Sequence, residues 1–195
     1  EPMTDETPQE VWLIRHGQTE WSASGRHTGR SDVPLTPTGM EQARALRTRL
    51  ADQPFALVAT SPLARAHETC RLAGQLDAAK TDADLVEWDY GSLEGRTTAE
   101  IRRDMPGWSV WDGAIPGGET VDEVGERADL VIERALAARG DVALFAHAHM
   151  LRVVAARWLG LPARRGQMFA LDVASISVLG FEHDPYKTPE FEQEV

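Results

Sequence analysis

The sequence predicts an α/β fold, a three-layer sandwich in which a mainly parallel central sheet is flanked by helices. Short apolar runs of strand length alternate with longer segments whose apolar residues recur at helical spacing. Repeated strand and helix units of this kind usually build a parallel sheet covered on both faces. The 195 residues, 42% of them hydrophobic, suffice for one core. We therefore expect residues 1–195 to form a single domain, in which residues 1–9, polar and with a plausible start at Met3, are disordered or vector-derived.

The first half of the chain contains two predicted strands, each followed by a predicted helix. Val11–Arg15, "VWLIR", has the length and β-branched content of a buried strand. The helix after it covers "TPTGMEQARALRTRLAD", with Thr36 as N-cap and Pro37 at the first position. The second strand is "FALVAT", and the helix "SPLARAHETCRLAGQL" follows it with Ser61 as N-cap and Pro62 at the first position.

The second half continues the same alternation. After the loop-like "EWDYGSLEG", a short helix is predicted near residues 98–103 and a long helix over residues 121–138. Residues 141–146, "DVALFA", form the third predicted strand, and "HMLRVVAARWLG" is a helix ended by Gly160 and Pro162. The last segment, "QMFALDVASISVLGFE", is predicted to be a pair of strands.

Charge and composition exclude several classes of function. Asp and Glu number 31 against 20 Lys and Arg, and this formal net charge of -11 disfavours sequence-independent binding to nucleic acid. No apolar run approaches the ~20 residues that span a bilayer, and no basic then apolar leader opens the chain. The single cysteine, Cys70, cannot form an intrachain disulfide. We expect a soluble, cytoplasmic protein with no nucleic-acid or membrane partner.

Arginine and histidine residues follow three of the predicted strands. The first strand ends at Arg15 and His16, within "LIRHGQTEWS"; the second leads to Arg65 in the first helical turn; the third ends in "AHAH", with His147 and His149. Ligands of open α/β sheets bind beyond the carboxyl ends of the strands, and free N–H groups at a helix start favour anions. Because converging cations repel one another, we predict that they surround a dianionic phosphate, which arginine binds through paired hydrogen bonds.

Each of these residues also has an ordinary structural interpretation. A lone arginine or histidine at a strand end is usually a solvated loop residue, and Gly17 could be a simple turn residue. "HAH" could be a metal-binding pair, and Glu87 could be one more solvated carboxylate. Four aromatic residues are interpreted as packing residues rather than a recognition site: Trp88, Tyr90, Trp108 and Trp111.

Four motifs together resemble the histidine phosphatase superfamily, which includes cofactor-dependent phosphoglycerate mutases and many small acid phosphatases. They are "LIRHGQTEWSASGRHTGRSDVPLTPTG", "TSPLARAHET", "EWDYGSLEG" and "FAHAHMLR". They occur in the family's order and extend over nearly the whole chain. The resemblance implies a phosphoglycerate mutase-like fold and an enzyme that handles phosphate esters.

The resemblance also implies a role for five residues. His16 is the nucleophile that becomes phosphorylated, Glu87 is the proton donor, and the catalytic His147 cradles the phosphoryl group with Arg15 and Arg65. The chemistry agrees, because a neutral imidazole can attack phosphorus and form a covalent phosphoenzyme. Cationic groups can stabilise the charge of the equatorial oxygens. No metal and no other cofactor are therefore expected.

Two positions depart from the family's common pattern. Ser22 stands where asparagine is frequent, so the side chain that is expected to contact phosphate is shorter. Ala148 replaces a frequent glycine, so its backbone N–H is expected to bind phosphate with a methyl group nearby. Neither change removes a charged catalytic group, and we expect an active enzyme. The residues expected on the substrate side by resemblance, with surface groups as the alternative, are His27, Thr28, Gly29 and Arg152.

Hydrolysis is favoured over mutase-type phosphoryl transfer. The interval from Glu87 to His147 is shorter than in the phosphoglycerate mutases, which carry an insertion that helps to enclose the site and exclude water. "WSVWDG", "GGET" and "AHAHMLRVVAARWLGL" are similar to sedoheptulose-bisphosphatase-type enzymes and related acid phosphatases. We expect a phosphatase acting on small phosphorylated metabolites, such as sugar phosphates or bisphosphates. The sequence is compatible with a homodimer.

Three other functions stay open on the sequence alone. A phosphoglycerate mutase would use the same residues. A non-catalytic phosphate-binding module would need neither His16 nor Glu87, and their joint presence weighs against it. A metallophosphatase would use the histidines as ligands, but "HAH" lacks the Asp and Asn residues of a two-metal site.

Overall fold

The computed structural model describes residues 8–182, which fold into a sheet between two layers of helices. The sheet has five strands in the order β3-β2-β4-β1-β5 within this range. The strands β1 to β4 are parallel, and β5 is antiparallel to β1. Their bounds are Val11–Arg15 for β1, Leu57–Thr60 for β2, Ala79–Thr81 for β3, Val142–Ala146 for β4 and Ile176–Leu179 for β5. The predicted fold class is confirmed.

Helices cover both faces of this sheet. They are α1 (Glu20–Ala23), α2 (Pro37–Leu50), α3 (Ala64–Leu72), α4 (Thr98–Asp104), α5 (Val121–Ala137) and α6 (Ala148–Trp158). Short 3-10 turns occur at Leu76–Ala78, Ala83–Leu85, Gly91–Leu93 and Ala163–Met168. Residues of α2 and α3 pack on one face, and residues of α5 and α6 pack on the other. None of the helices in residues 8–182 has the length and apolar character that crossing a membrane requires.

Strand β4 shows how one sheet builds two cores. Val142, Leu144 and Ala146 belong to the cluster on the α5 and α6 side, whereas Ala143 and Phe145 belong to the cluster on the α2 and α3 side. All residues of β4 are buried. Because successive side chains of a strand point to opposite faces, a central strand must be apolar at every position. This explains why the sequence shows a continuous apolar run here.

The start of α3 differs from the sequence prediction. The helix begins at Ala64, not at Pro62, and Ser61 does not cap it. The Ser61 N–H donates to the Phe145 carbonyl at 2.9 Å, which keeps Ser61 in line with the sheet beside β4. Arg65 nevertheless lies in the first turn of α3, as predicted. By contrast, α2 begins as predicted, because the Thr36 side chain accepts a hydrogen bond from the Gly39 N–H.

The final segment contains one strand instead of the predicted pair. Residues 163–168 form a 3-10 helix, and the Gly166 and Gln167 carbonyls accept hydrogen bonds from the Arg152 guanidinium. These bonds hold the segment against α6, so only Ile176–Leu179 pairs with β1. Strand β3 was not predicted either, because "AKT" is short, largely exposed and without an apolar pattern.

The beginning of the described range belongs to the fold. Gln9 is buried, and its Nε2 donates to the carbonyls of Ala135 at 2.7 Å and Gly140 at 2.6 Å. These bonds join the residues before β1 to the end of α5. The expectation of disorder over residues 1–9 is therefore wrong at Gln9, and residues 1–7 lie outside the described range.

Two glycines bring the loop after β1 against the start of α2. A Cβ on Gly17 would lie 2.3 Å from the Gly39 carbonyl oxygen, and a Cβ on Gly39 would lie 2.1 Å from the Gln18 carbonyl oxygen. Real Cβ atoms do not approach oxygen so closely, and backbone atoms cannot move aside without shifting the chain. The contact fixes the backbone directly after His16, and Gly17 is more than a simple turn residue.

We predict that Gly39→Ala destabilises the protein. Helix propensity alone would give a gain of about 1 kcal/mol, but the overlap with Gln18 should instead cost about 1–3 kcal/mol. The free energy of unfolding in urea, followed by tryptophan fluorescence, measures the difference. Thr38→Ala is the matched control, because Thr38 is an exposed neighbour on the same helix. A Gly39→Ala protein at least as stable as the wild type would contradict the packing argument.

Candidate active site

A cavity of about 460 Å³ opens at the carboxyl ends of the parallel strands. Its walls come from the loop after β1, the loop that contains Glu87, the region around α4, and the first turns of α6. Most of the residues that the sequence predicts for the site line it, namely Arg15, His16, Ser22, His27, Thr28, Glu87, Ala148 and Arg152. Three predicted residues are absent from its walls: Arg65, Gly29 and His147.

His16 is buried at the base of the cavity and is prepared as a neutral base. Its Nδ1 lies 2.7 Å from the Gly17 carbonyl oxygen, which can only accept, so Nδ1 carries the proton and donates. The other ring nitrogen, Nε2, then keeps its lone pair. Burial lowers the pKa of His16 to about 3, and the positive charges of Arg65 and Arg15 act in the same direction. The ring is therefore uncharged at neutral pH.

Arg15 brings an unpaired donor to the same cavity. Its Nη1 donates to the Leu171 carbonyl at 2.6 Å. Its Nε is buried and has no hydrogen-bond partner in the described range. Buried donors are normally paired, so an orphaned N–H beside a cavity suits a ligand oxygen. Burial lowers the pKa of Arg15, and the carboxylate of Glu87 opposes that shift.

Glu87 is held at the start of α6. One carboxylate oxygen, Oε1, accepts from the N–H groups of Trp88 at 2.9 Å and Met150 at 2.8 Å. The other, Oε2, accepts from the His149 N–H at 3.0 Å. A carboxylate at a helix N-terminus is favoured by the helix dipole. These bonds fix the acid on the cavity wall, where no other acidic residue of the described range lies.

Ala148 and Ser22 both line the cavity, but only Ala148 has a polar group that is not already hydrogen-bonded within the described range. Ala148 opens α6, and its N–H has no hydrogen-bond partner in residues 8–182, so it remains available to an anion. Ser22 is already engaged, because its Oγ accepts from the Thr19 N–H and donates to the Thr19 carbonyl. This capping box of α1 occupies the hydroxyl that the sequence assigns to phosphate.

Arg65 lies behind the cavity wall. Its guanidinium is fully buried and makes four hydrogen bonds. Nε donates to His147 Nδ1 at 3.1 Å, Nη1 donates to the Ser31 carbonyl at 2.8 Å, and Nη2 donates to the Thr28 and Gly29 carbonyls. Since a guanidinium has five N–H donors, one remains. The arrangement supports Arg65 as a buried support for the loop after β1 more than as a direct phosphate ligand.

His147 is the second member of this buried layer. Its ring centroid is 5.3 Å from that of His16. Nδ1 accepts from Arg65, and Nε2, which carries the proton, donates to Ser61 Oγ at 2.8 Å. Burial and the charge of Arg65 lower the pKa of His147 well below its ordinary value. Both ring nitrogens are thus occupied by protein partners, and no sequence pattern indicates that Ser61 is one of them.

Gly29 does not face the cavity, contrary to the sequence prediction. Its N–H donates to Glu94 Oε1 at 2.8 Å, and a Cβ there would lie 2.4 Å from the Trp88 carbonyl oxygen. Gly29 is therefore packed against the loop that follows Glu87. It supports Thr28, which does line the cavity.

Aromatic residues form the cavity wall away from His16. The interpretation as packing residues agrees with Trp88 and Trp108, which are buried outside the wall. Tyr90 and Trp111 are also buried members of the core, and in addition they line the cavity. The Arg152 guanidinium lies 4.8 Å above the Trp111 ring. The place of Tyr90 in the acid motif, three residues after Glu87, is the signal that could have identified it.

The charge of the cavity is opposite to that of the whole chain. Four arginines line it, Arg15, Arg26, Arg102 and Arg152, against the single carboxylate of Glu87 in the described range. Arg26 and Arg102 were not predicted. The same range contains no group of three or more His, Cys, Asp or Glu side chains that could hold a metal ion.

Comparison with known proteins places this geometry among phosphate-handling enzymes. The model of the histidine phosphatase superfamily, branch 1, matches residues 11–192. An acid phosphatase of Mycobacterium tuberculosis is 44% identical over 177 residues, covering 88% of this chain and 86% of that protein. Sedoheptulose 1,7-bisphosphatase of Saccharomyces cerevisiae is 35% identical over 188 residues, covering 78% and 68%. The solved structure of Rv3214 from Mycobacterium tuberculosis has a TM-score of 0.85 at 42% identity, covering 90% and 92%.

The low pKa of His16 predicts a pH-dependent stability. In the unfolded chain a histidine has a pKa near 6.5, against about 3 in the fold. The unfolded state therefore binds the proton more readily, and stability falls as the pH drops below about 6.5. His16→Gln cannot titrate, so its free energy of unfolding should fall by about 2 kcal/mol less than that of the wild type between about pH 6.5 and 5.

Urea unfolding at a series of pH values measures this difference. The two proteins should show parallel curves above about pH 7.5, where neither state binds an appreciable fraction of a proton at His16, and this range is the internal control. His147 and His149 are present in both proteins, and burial, the main cause of their lowered pKa values, acts in both. Parallel curves below pH 6.5 would show that His16 is not a buried neutral imidazole.

Proposed function

The chain belongs to the histidine phosphatase superfamily, and from this premise we propose that it hydrolyses phosphate monoesters of small metabolites through a phosphorylated His16. The observation that carries the proposal is the state of His16. It is a buried, neutral imidazole with its proton on Nδ1 and a free lone pair on Nε2. Arg15 Nε and the Ala148 N–H, both without a protein partner in the described range, offer donors for the phosphoryl oxygens.

The first step transfers the phosphoryl group to the protein. The Nε2 lone pair of His16 forms a bond to phosphorus while the bond from phosphorus to the ester oxygen breaks. Glu87 gives its proton to that oxygen, so an alcohol leaves and Glu87 becomes ionised. Arg15, with Arg65 behind the wall, stabilises the charge on the phosphoryl oxygens.

The second step returns the enzyme to its first state. A water molecule takes the place of the departed alcohol, and the Glu87 carboxylate accepts one of its protons. The water oxygen bonds to phosphorus as the bond to His16 Nε2 breaks, releasing inorganic phosphate. In this scheme the neutral ring of His147 packs against the ring of His16 and holds it in place. If the His147 Nε2–H turned from Ser61 toward the phosphoryl group, it would add a hydrogen-bond donor there.

The charge of the cavity supports substrates with more than one anionic or polar group. Arg26, Arg102 and Arg152 line the wall in addition to the arginine beside His16. We place sugar phosphates and bisphosphates within the proposed substrate range, with His27, Thr28 and Arg152 as contacts beyond the phosphoryl group. The relatives named acid phosphatase and sedoheptulose 1,7-bisphosphatase support this range.

Broader features of the proposal come from the sequence. We propose that residues 1–195 act as one domain in the cytoplasm, for which a single buried cysteine, Cys70, is suitable. A homodimer stays a prediction.

We predict that His16→Ala abolishes turnover. Incubation with a ³²P-labelled sugar phosphate followed by a rapid quench should label the wild type with an acid-labile, base-stable group on histidine. The variant should show no label and no release of inorganic phosphate, because the attacking nitrogen is gone. His67→Ala is the matched control, since His67 lies on α3 outside the cavity. Normal turnover by His16→Ala would overturn the proposal, and label passing to a second metabolite instead of water would favour a mutase.

We predict that Glu87→Gln affects substrates according to their leaving group. A sugar alkoxide needs a proton to depart, whereas nitrophenolate does not. A general acid contributes roughly 10²- to 10⁴-fold, so single-turnover phosphorylation by a sugar phosphate should fall by about that factor and by much less with nitrophenyl phosphate. The amide can also disturb the N–H bonds to α6, but that damage would slow both substrates alike. Equal losses would therefore assign Glu87 to holding α6 and not to proton transfer.

A further inference from the structure

His149 is held rigidly at the cavity wall by groups that the proposed reaction does not use. Its ring Nδ1 lies within hydrogen-bond distance of the Tyr90 hydroxyl. The ring stands edge-on to Trp111, with centroids 5.3 Å apart, and lies nearly parallel to the His27 ring, at 6.2 Å and 14°. The His149 backbone N–H is bonded to Glu87. The ring therefore has one orientation, and the backbone of the same residue binds the acid.

The partner of Nδ1 fixes which ring nitrogen carries the proton. Tyr90 is buried, and burial raises its pKa well above the ordinary value, so the phenol keeps its proton. His149 Nδ1 is the hydroxyl's only hydrogen-bond partner within residues 8–182, so we assign the phenol as the donor and Nδ1 as the acceptor. Burial, with the charges of Arg152 and His27, lowers the pKa of His149 well below its ordinary value. His149 is thus neutral, and its proton lies on Nε2.

This N–H is free to meet a ligand. Nε2 makes no hydrogen bond to any residue in the range 8–182, and the His149 ring lines the cavity. The cavity's arginines are charged donors that suit phosphate or carboxylate oxygens. A donor that stays uncharged suits an uncharged acceptor, such as a hydroxyl oxygen. The His149 backbone N–H binds Glu87, the proposed proton donor to the leaving group, so His149 belongs to the cavity wall that a leaving group would face.

We infer that His149 donates a hydrogen bond from Nε2 to a hydroxyl oxygen of the leaving group. His149 is then a specificity-determining residue, and Tyr90 is a positioning residue that fixes its tautomer. The inference rests on the proposed phosphatase function and deepens it. It states that polyol phosphates, which carry a hydroxyl next to the ester carbon, are preferred over simple alkyl phosphates.

Glycerol 3-phosphate and propyl phosphate test this directly, because both are primary esters of three-carbon alcohols and differ in the hydroxyl groups. The wild type should prefer glycerol 3-phosphate by about fivefold or more in kcat/KM, the effect of one hydrogen bond to a fixed donor. The double variant His149→Phe with Tyr90→Phe keeps both ring shapes and removes the polar atoms. Its preference should fall toward one, mainly through a higher KM for glycerol 3-phosphate.

Two further variants make the result specific. His149→Gln keeps an N–H donor near the position of Nε2 and should retain part of the preference, whereas His67→Phe, outside the cavity, should leave it unchanged. A preference that survives in the double variant would overturn the inference, as would equal losses on both esters, which would mean that His149 only holds Glu87. A wild type that hydrolyses both esters equally overturns this inference alone. A wild type that hydrolyses neither and forms no phosphohistidine overturns the proposed function as well.

Discussion

The buried charge of Arg65 is the constraint on which the rest of the site depends. Its guanidinium is fully buried, yet no ion pair joins it to a carboxylate in the described range. Its partners are three backbone carbonyls of the loop after β1 and the ring of His147. Burying a cation without a directly paired carboxylate is costly, and the carbonyl oxygens and the more distant carboxylates of Glu87, Asp32 and Glu94 offset only part of that cost. The fold maintains a positive charge that an anion in the neighbouring cavity would complete.

The same charge sets the state of the groups around it. Arg65 helps to lower the pKa values of His16 and His147, so both rings stay neutral with defined protons. Its bonds to the Thr28 and Gly29 carbonyls hold the loop that forms one cavity wall. On the opposite wall, Glu87 joins its own loop to the start of α6. One buried cation and one buried carboxylate therefore fix the two sides of the cavity through backbone groups.

The sequence predicts which residues gather at the sheet edge better than it predicts which of them face the cavity and which lie behind its wall. Arg15 and His16 could be placed because they directly follow a strand whose apolar run is unambiguous, and the carboxyl ends of parallel strands share one edge. That Arg65 lies behind the wall could not be predicted, because its direction depends on carbonyls in a distant loop. Ser61 was misassigned because its role arises only when β2 lies beside β4. Tyr90 shows the same limit, since an aromatic residue on a cavity wall has the same composition signal as one in a core.

The reactivity of His16 depends on the charges in the cavity around it. An imidazole with a pKa of about 3 is a weak base and hence a weak nucleophile. Burial is the main cause of that low value, but Arg65 and Arg15 add to it through their charges. A dianionic phosphate bound beside Arg15 and His16, with Arg65 behind the wall, would offset the charge of both arginines and raise the basicity of Nε2. The substrate would thus activate the group that attacks it.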